Sequence, residues 1–170
     1  MENLGVTFFI PRLFQIKIKK IMINGVVIYP LRKIPDERGT IMHMLKRTDS
    51  HFEEFGEIYF TTIHPGAIKG WHVHTKLVLN YCVLVGNIKL VLYDGRENSP
   101  TYKELQEIFM GEDNYVLVKI PVGVLSGFKA IGGKTALLAN CANLPHDSAE
   151  TIRIDPYTKD IPYNWDIKNC

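Results

Sequence analysis

Short runs of β-forming residues, each bounded by turn residues, recur along this chain and restrict its fold more than any other feature. They are GVVIYPL (25–31), GTIMHML (39–45), GEIYFTTI (56–63), LNYCVLVG (79–86), NIKLVLYDG (87–95), YVLVKIP (115–121) and TALLANCA (135–142). Turn pairs such as Pro65-Gly66 and Gly132-Gly133 fall between them. Short strands with this punctuation predict a β-barrel or a β-sandwich rather than βαβ units.

Three local patterns refine this prediction. Gly86-Asn87 within VLVGNIKLVLYDG predicts a hairpin, because these residue types adopt the positive φ of a tight turn. Pro121 and Gly123 predict a bend between two strands. The segment SHFEEFG (50–56) is the clearest candidate for a helix, of one or two turns. A histidine-containing strand, a glycine turn and a PxG bend, in this order, predict an all-β cupin, a jelly roll built as a double-stranded β-helix, with little helix.

The composition limits the class of protein. The chain has 170 residues, of which 46% are hydrophobic, and a net charge of +2, so it is long enough for one domain and too weakly basic to predict nucleic-acid binding. Cys82, Cys141 and Cys170 form no CxxC motif, which favours a reducing cytoplasm over a disulfide framework. No apolar run reaches the ~18 residues of a membrane span, so we expect no membrane partner.

The domain organisation is predicted to be simple. Residues 22–170 are expected to form a single cupin domain, because MINGVVIYPL begins at Met22 and resembles a first strand. Residues 1–21 are expected to be an extension of that domain. In this segment the positive charge follows the apolar stretch and no small-residue cleavage site is visible, which argues against a signal peptide.

The stretch KGWHVHTK (69–76) carries two histidines, His72 and His74, that suit either of two chemistries. A metal site of the cupin type requires a glutamate a few residues later and a third histidine after the PxG bend. Val78 and Leu79 stand where the glutamate is expected, and Ser126 stands in place of the third histidine. The sequence therefore predicts neither a metal ion nor another cofactor.

The alternative chemistry is proton abstraction. Side chains two residues apart share one face of a strand, so His72, His74, Lys76 and Asn80 are expected to point the same way. A lysine near a histidine in a partly dry pocket lowers the histidine pKa and keeps the ring an acceptor at neutral pH. Such a pair can remove a proton beside a carbonyl group and offset the charge of the enolate. The residue pattern is equally compatible with histidines that only form hydrogen bonds within the core.

The chain resembles the dTDP-4-dehydrorhamnose 3,5-epimerase family over nearly its whole length. The similarity rests on PDERG (35–39), KGWH (69–72), KLVLNY (76–81), YDGRENSPTY (93–102), IPVGVLSGF (120–128) and IDP (154–156), in this order and spacing. The resemblance implies a metal-independent cupin homodimer whose substrate is a nucleotide-diphospho-4-keto-6-deoxyhexose. It implies that carbons flanking the ketone are inverted, in deoxysugar synthesis for lipopolysaccharide or another surface polysaccharide.

The resemblance also implies roles for individual residues. His72 matches the family's catalytic base, and Lys76 matches the lysine beside the enolate. Arg38 matches an arginine that binds the diphosphate. Lys69 stands where the family has a second such arginine. This replacement retains the positive charge but loses the planar guanidinium that binds two phosphate oxygens at once.

Two parts of the family's machinery are missing at the matching positions. Ala139 stands where the family has its tyrosine general acid, and the aspartate that orients the base belongs to a C-terminal extension not matched here. The candidate replacements for the acid are Tyr81, Tyr59, His74 and a bound water. We therefore predict catalytic roles for His72 and Lys76. The predicted substrate-binding residues are Arg38, Lys69, His74, Asn80, Tyr81 and Ser126.

Three functions are compatible with these residues. The first is an epimerase or isomerase of nucleotide sugars, which the near full-length resemblance favours. The second is a non-catalytic cupin that binds nucleotide sugars or carbohydrates after loss of the acid. The third is a metal-dependent cupin isomerase or oxygenase that uses His72 and His74.

Overall fold

β-Strands joined by turns and loops make up the computed structural model, which describes residues 22–167. The strands are β1 (Val27–Pro30), β2 (Lys33–Asp36), β3 (Gly39–Met42), β4 (Glu57–Ile63), β5 (Ile68–His74), β6 (Leu79–Val85), β7 (Asn87–Asp94), β8 (Leu105–Gly111), β9 (Val116–Ile120), β10 (Val124–Ile131), β11 (Ala136–Ala142) and β12 (Thr151–Ile154). Within residues 22–167 there is no helix, and the predicted all-β class is confirmed. The expected extension, residues 1–21, lies outside the described residues and stays a prediction.

Two five-stranded antiparallel sheets form a sandwich. The first has the strand order β1-β9-β6-β11-β4 and is called here the β4 sheet; the second has the order β12-β5-β10-β7-β8 and is called the β5 sheet. Strands β2 and β3 form a separate hairpin. All seven runs that the sequence marks as strands contain a strand of the structure.

The predicted hairpin at Gly86-Asn87 is wrong in its pairing. Gly86 does adopt a positive φ of 69°, but Asn87 already belongs to β7. Strand β6 pairs with β9 and β11, whereas β7 pairs with β8 and β10. The turn thus carries the chain from one sheet to the other. Hydrophobic periodicity identifies both strands, but the choice of partner depends on how the two sheets stack.

The predicted bend at Pro121 and Gly123 is confirmed. Strand β9 ends at Ile120, β10 begins at Val124, and Gly123 has a φ of 77°. The backbone N–H of Gly123 donates a hydrogen bond of 2.8 Å to the carbonyl of His74. The bend is therefore attached to the end of the histidine strand.

The predicted helix at residues 50–56 is wrong. A turn ends at His51, and the chain continues without regular structure to β4. The N–H of Gly56 donates to the carbonyl of Ala142 at 2.9 Å, so this backbone donor serves a tertiary contact instead of a helical one. Helices this short are marginal unless packing stabilises them.

The core fixes which way the histidine strand faces. The main apolar cluster lies between the two sheets, where the rings of Tyr81 and Phe128 meet edge to face at 6.0 Å. A second cluster covers the outer side of the β5 sheet and contains Trp71 and Trp165, whose ring centroids are 5.2 Å apart. Side chains alternate along a strand, so burial of Trp71 on the outer side turns His72 toward the opposite sheet.

Candidate active site

A pocket opens between the two sheets, close to the edges formed by β4 and β12. The β4 sheet contributes Tyr59, Thr61, Tyr81 and Leu138 to its lining. The β5 sheet contributes Lys69, His72, His74, Phe128, Thr151 and Arg153, and His146 reaches it from the loop after β11. Its volume of about 160 Å³ is below the ~300–1,000 Å³ of typical ligand pockets. This space suits one sugar ring better than a whole nucleotide sugar.

His72 is half-buried in this pocket and has a defined tautomer. Its Nδ1–H donates a hydrogen bond to the carbonyl of Gly70, at 2.7 Å, which leaves Nε2 as an acceptor. Burial is the largest cause that lowers the pKa of His72, and the positive charges of Arg153 and Lys69 lower it further. The bond to Gly70 opposes this shift without reversing it. The ring is therefore neutral at physiological pH, as a general base must be.

A backbone carbonyl thus orients His72, where the family resemblance implies an aspartate. No sequence pattern marks this contact, because it depends on the rotamer that His72 adopts beside Gly70. A carbonyl fixes the ring as a carboxylate does, but it adds no full negative charge. The lowered pKa of His72 is consistent with that difference.

His74 is paired with a buried carboxylate. Its Nδ1–H donates to Oε1 of Glu150, which lies directly before β12, and the two side chains are 11% and 3% exposed. Oε2 of Glu150 accepts further hydrogen bonds from the backbone N–H groups of Thr75, Lys76 and Leu77, at 3.0 to 3.4 Å. Burial acts to raise the pKa of Glu150, but the hydrogen bonds from His74 and the backbone outweigh it and lower the pKa to about 2.

The sequence analysis missed Glu150. The only local signal was a glutamate just before TIRIDP, and nothing in the sequence connects it to a histidine 76 residues earlier. The pair fixes the tautomer of His74 and holds the turn after β5. His74 therefore lies in the pocket, as expected, but with a partner that the sequence did not reveal.

The cations in the pocket are Lys69 and Arg153. Arg153 lies opposite His72 in the β12–β5 register, and both cations lower the pKa of His72. Lys69 was predicted, whereas Arg153 was missed, although it stands next to the IDP block that carries the resemblance. Two positive charges beside a neutral imidazole suit an anionic substrate and a developing enolate.

Lys76 and Asn80 do not share the face of His72 and His74 in the way the sequence suggested. Strand β5 ends at His74, and Lys76 lies in the bend that follows, with an exposed side chain. Asn80 belongs to the other sheet, where it is buried and donates from Nδ2 to the carbonyl of Cys141 at 2.9 Å. The expectation of one continuous face was wrong beyond His74, because the chain leaves β5 before it enters β6.

Arg38 lies at the turn of the β2–β3 hairpin. Its side chain is 89% exposed and forms an ion pair of 2.7 Å with Asp36. It does not belong to the lining of the His72 pocket. The fold therefore separates Arg38 from the histidines within one chain.

Ser126 and Tyr81 are both buried, but of the two only Tyr81 belongs to the lining of the His72 pocket. Ser126 is 2% exposed and opposes His72 in the β10–β5 register. A hydrogen bond links the side chains of Ser126 and Tyr81, while burial raises the pKa of Tyr81 well above its ordinary value. Tyr81 lines the pocket with a phenol that stays protonated.

Ala139, which stands where the family has its tyrosine acid, does not face the pocket. Leu138 lines the pocket, so strand alternation directs Ala139 to the other side of the β4 sheet. The next residue, Asn140, is fully buried and donates from Nδ2 to the hydroxyl of Tyr59 at 2.9 Å. A tyrosine is thus present in the pocket, on the strand beside the expected one.

Residues 22–167 contain no group of three or more His, Cys, Asp or Glu side chains arranged to hold a metal ion. Cys82 and Cys141 are buried free thiols. Across the same residues, no helix has the length and apolarity needed to span a bilayer.

Proteins of a known family resemble this chain over most of its length. The family model for dTDP-4-dehydrorhamnose 3,5-epimerase matches residues 20–169. The spore coat polysaccharide biosynthesis protein SpsL of Bacillus subtilis is 32% identical, over 86% of this chain and 99% of the relative. The probable low-salt glycan biosynthesis epimerase Agl13 of Haloferax volcanii is 31% identical, over 91% of this chain and 90% of the relative.

A solved structure shows the same architecture. The crystal structure of a dTDP sugar isomerase from Desulfovibrio desulfuricans G20 superposes with a TM-score of 0.83 and 42% identity, covering 84% of this chain and 92% of that one. The predicted cupin fold is therefore confirmed. The chain belongs to the dTDP-4-dehydrorhamnose 3,5-epimerase family, so it is an epimerase of nucleotide sugars.

Proposed function

We propose that His72 removes a proton from a carbon beside the 4-keto group of a nucleotide-diphospho-4-keto-6-deoxyhexose. The observation that carries this proposal is the hydrogen bond from Nδ1 of His72 to the carbonyl of Gly70. It leaves Nε2 unprotonated in a pocket where burial also lowers the pKa of the ring. A positioned base of this kind contributes about 10²–10⁴-fold to a proton transfer.

The charges around the base support the same chemistry. The proton beside a ketone becomes acidic when the enolate oxygen is stabilised, and a nucleotide sugar also carries a diphosphate. Lys69 and Arg153 supply two positive charges at the pocket. Lys76, by analogy with the family, is a third candidate, and it reaches the substrate only if its exposed side chain turns toward the pocket.

We also propose a homodimer, on the resemblance to the family. Exposed apolar side chains on the β2–β3 hairpin and on the edge strand β4 support it, among them Ile34, Ile41 and Phe60, which are 43%, 60% and 58% exposed. Arg38 lies on the same hairpin. In a homodimer it can therefore contribute to the pocket of the second copy. Sedimentation velocity tests this proposal, and a monomer at micromolar concentration contradicts it.

The cellular role follows from the reaction class. We propose a cytoplasmic enzyme that supplies a deoxysugar for lipopolysaccharide or another surface polysaccharide. The relatives named for spore coat polysaccharide and glycan synthesis support this setting.

The direct test is solvent exchange. The protein is incubated in D₂O with dTDP-4-keto-6-deoxyglucose and with other nucleotide-4-ketosugars, and ring protons are followed by NMR. We expect deuterium beside the ketone, and we expect His72→Asn to slow the exchange by about 10²-fold or more. His64→Asn is the matched control, because His64 is exposed outside the pocket. Absence of exchange with every substrate contradicts the proposal.

A non-catalytic binding protein is the second candidate, and Ala139 is the observation that favours it. The same nucleotide sugars are therefore tested by thermal shift alongside the exchange assay. A raised melting temperature without deuterium exchange supports binding alone. A raised melting temperature with exchange supports the enzyme.

A further inference from the structure

We propose that Tyr59 is the general acid of this site and that Asn140 positions it. This inference rests on the proposed function, because it assigns the group that protonates the carbon from which His72 has removed a proton. It differs from the family pattern, which places the acid at Ala139.

Tyr59 and His72 belong to opposite walls of the pocket. Tyr59 is on β4, in one sheet, and His72 is on β5, in the other. Both line the same pocket. Inversion of a carbon requires that the proton leave from one face and return to the other. A sugar ring held between the walls exposes one face to each residue.

His74 lies on the wrong wall for this task. It follows His72 by two residues on β5, so the two imidazoles share one face of one strand. A proton delivered from His74 returns to the face from which it left. This geometry separates Tyr59 from His74 as candidate acids.

The hydrogen bond from Asn140 prepares Tyr59 to give up its proton. Nδ2 of Asn140 donates to the hydroxyl oxygen of Tyr59 at 2.9 Å. The Oδ1 of Asn140 accepts from the backbone N–H of Asn80 at 3.2 Å, which fixes the orientation of the amide. The phenol oxygen thus acts as an acceptor toward Asn140, and its own hydrogen is free to point into the pocket. After transfer, the same bond stabilises the phenolate.

Tyr81 is less suited to the role. It is 6% exposed, its hydroxyl is paired with Ser126, and burial raises its pKa. A phenol in that state holds its proton strongly. Tyr59, by contrast, is 38% exposed at the pocket and can recover a proton from solvent after each turnover.

The proposed step balances without a further reactant. His72 takes the proton from the carbon beside the ketone, and the electron pair moves to the carbonyl oxygen to form an enolate. The enolate carbon then takes the proton of Tyr59 on the opposite face, and the ketone re-forms. The phenolate gains a proton from water, and the imidazolium of His72 releases one.

The test separates proton removal from inversion. Tyr59→Phe is compared with the unsubstituted protein and with Tyr102→Phe, which removes an exposed phenol outside the pocket. Deuterium exchange and formation of the inverted sugar are measured in the same D₂O sample. We expect Tyr59→Phe to retain most of the exchange and to slow inversion by about 10²-fold, and we expect Tyr102→Phe to change neither.

The outcomes distinguish the two proposals. Inversion by Tyr59→Phe within threefold of the unsubstituted rate overturns the role of Tyr59, and so does an equal loss of exchange and inversion. Failure of the unsubstituted protein to exchange any proton overturns the proposed function itself.

A second pair of measurements tests positioning. Asn140→Ala is expected to slow inversion more than exchange, whereas a purely structural role slows both equally. Because Asn140 is fully buried, its variant is first checked by thermal melting. An equal loss of exchange and inversion in Asn140→Ala overturns the positioning role.

Discussion

Nδ1 of His74 donates a hydrogen bond to the buried carboxylate of Glu150, which lies 76 residues later in the chain. The same carboxylate accepts the backbone N–H groups of Thr75 and Lys76, so it holds both the histidine and the turn that ends β5. Glu150 therefore supports the part of the β5 sheet that lines the pocket, without belonging to the lining itself.

Glu150 should make the free energy of unfolding depend on pH in the acid range. Its pKa in the folded protein is about 2, below the ordinary value of 4.5, so the unfolded chain binds the proton more tightly. This contribution is fully present above about pH 4.5 and is lost as the pH falls toward 2. We expect the free energy of unfolding to fall over this window. In Glu150→Gln it should fall less steeply and be lower at pH 7 by about 1–3 kcal/mol. Urea titrations at several pH values measure both quantities, and parallel pH curves contradict the assignment.

Arg153 should influence the pH at which His72 becomes protonated. Its positive charge lowers the pKa of His72, so its removal raises that pKa. We expect Arg153→Met to move the acid limb of kcat/KM to higher pH, and Arg153→Lys to leave the limb nearly in place. Arg47→Met, an exposed residue outside the pocket, serves as the control for net charge. Identical limbs in Arg153→Met and the unsubstituted protein contradict the coupling.

Lys69 should bind the diphosphate less well than an arginine does. A guanidinium offers two parallel donors to phosphate oxygens, whereas an ammonium acts as a point charge. We expect Lys69→Arg to bind dTDP more tightly, and Lys69→Met to bind it about tenfold more weakly. Calorimetric titration with dTDP measures the three affinities, with Lys159→Met as an exposed control. Equal affinities exclude Lys69 from the diphosphate site.

Replacement of Gly86, in the turn that joins β6 to β7, should destabilise the protein. It has a φ of 69°, and an added Cβ lies 3.0 Å from Cα of Ala136. Gly132 has a similar φ of 77° but open space around it. We expect Gly132→Ala to cost about 1–2 kcal/mol from its conformation alone. Gly86→Ala should cost about 1–3 kcal/mol more, from the steric contact. Chemical denaturation compares the two variants, and equal losses contradict this explanation.

Local sequence patterns predicted the strands well and their pairing poorly. Gly86 was correctly placed in a turn, because its residue type carries that information. The connection of β6 to the other sheet was not visible, because sheet pairing depends on contacts between distant segments. The segment 50–56 carries an N-terminal capping pattern in sequence, yet it forms no helix, and the N–H of Gly56 donates to the carbonyl of Ala142 instead.

Some features of the candidate site were also predictable from the sequence, and others were not. Two histidines spaced by one residue on a strand fixed their common face, so the sequence alone placed His72 and His74 together. The sequence also determined the all-β class, through its alternating runs, and the family, through the order of its motifs. Only the tertiary structure decided that Gly70 orients His72, that Glu150 holds His74, and that Tyr59 faces them from the opposite sheet. The physical reason is that these contacts depend on the stacking of two sheets and on side-chain rotamers, neither of which residue spacing records.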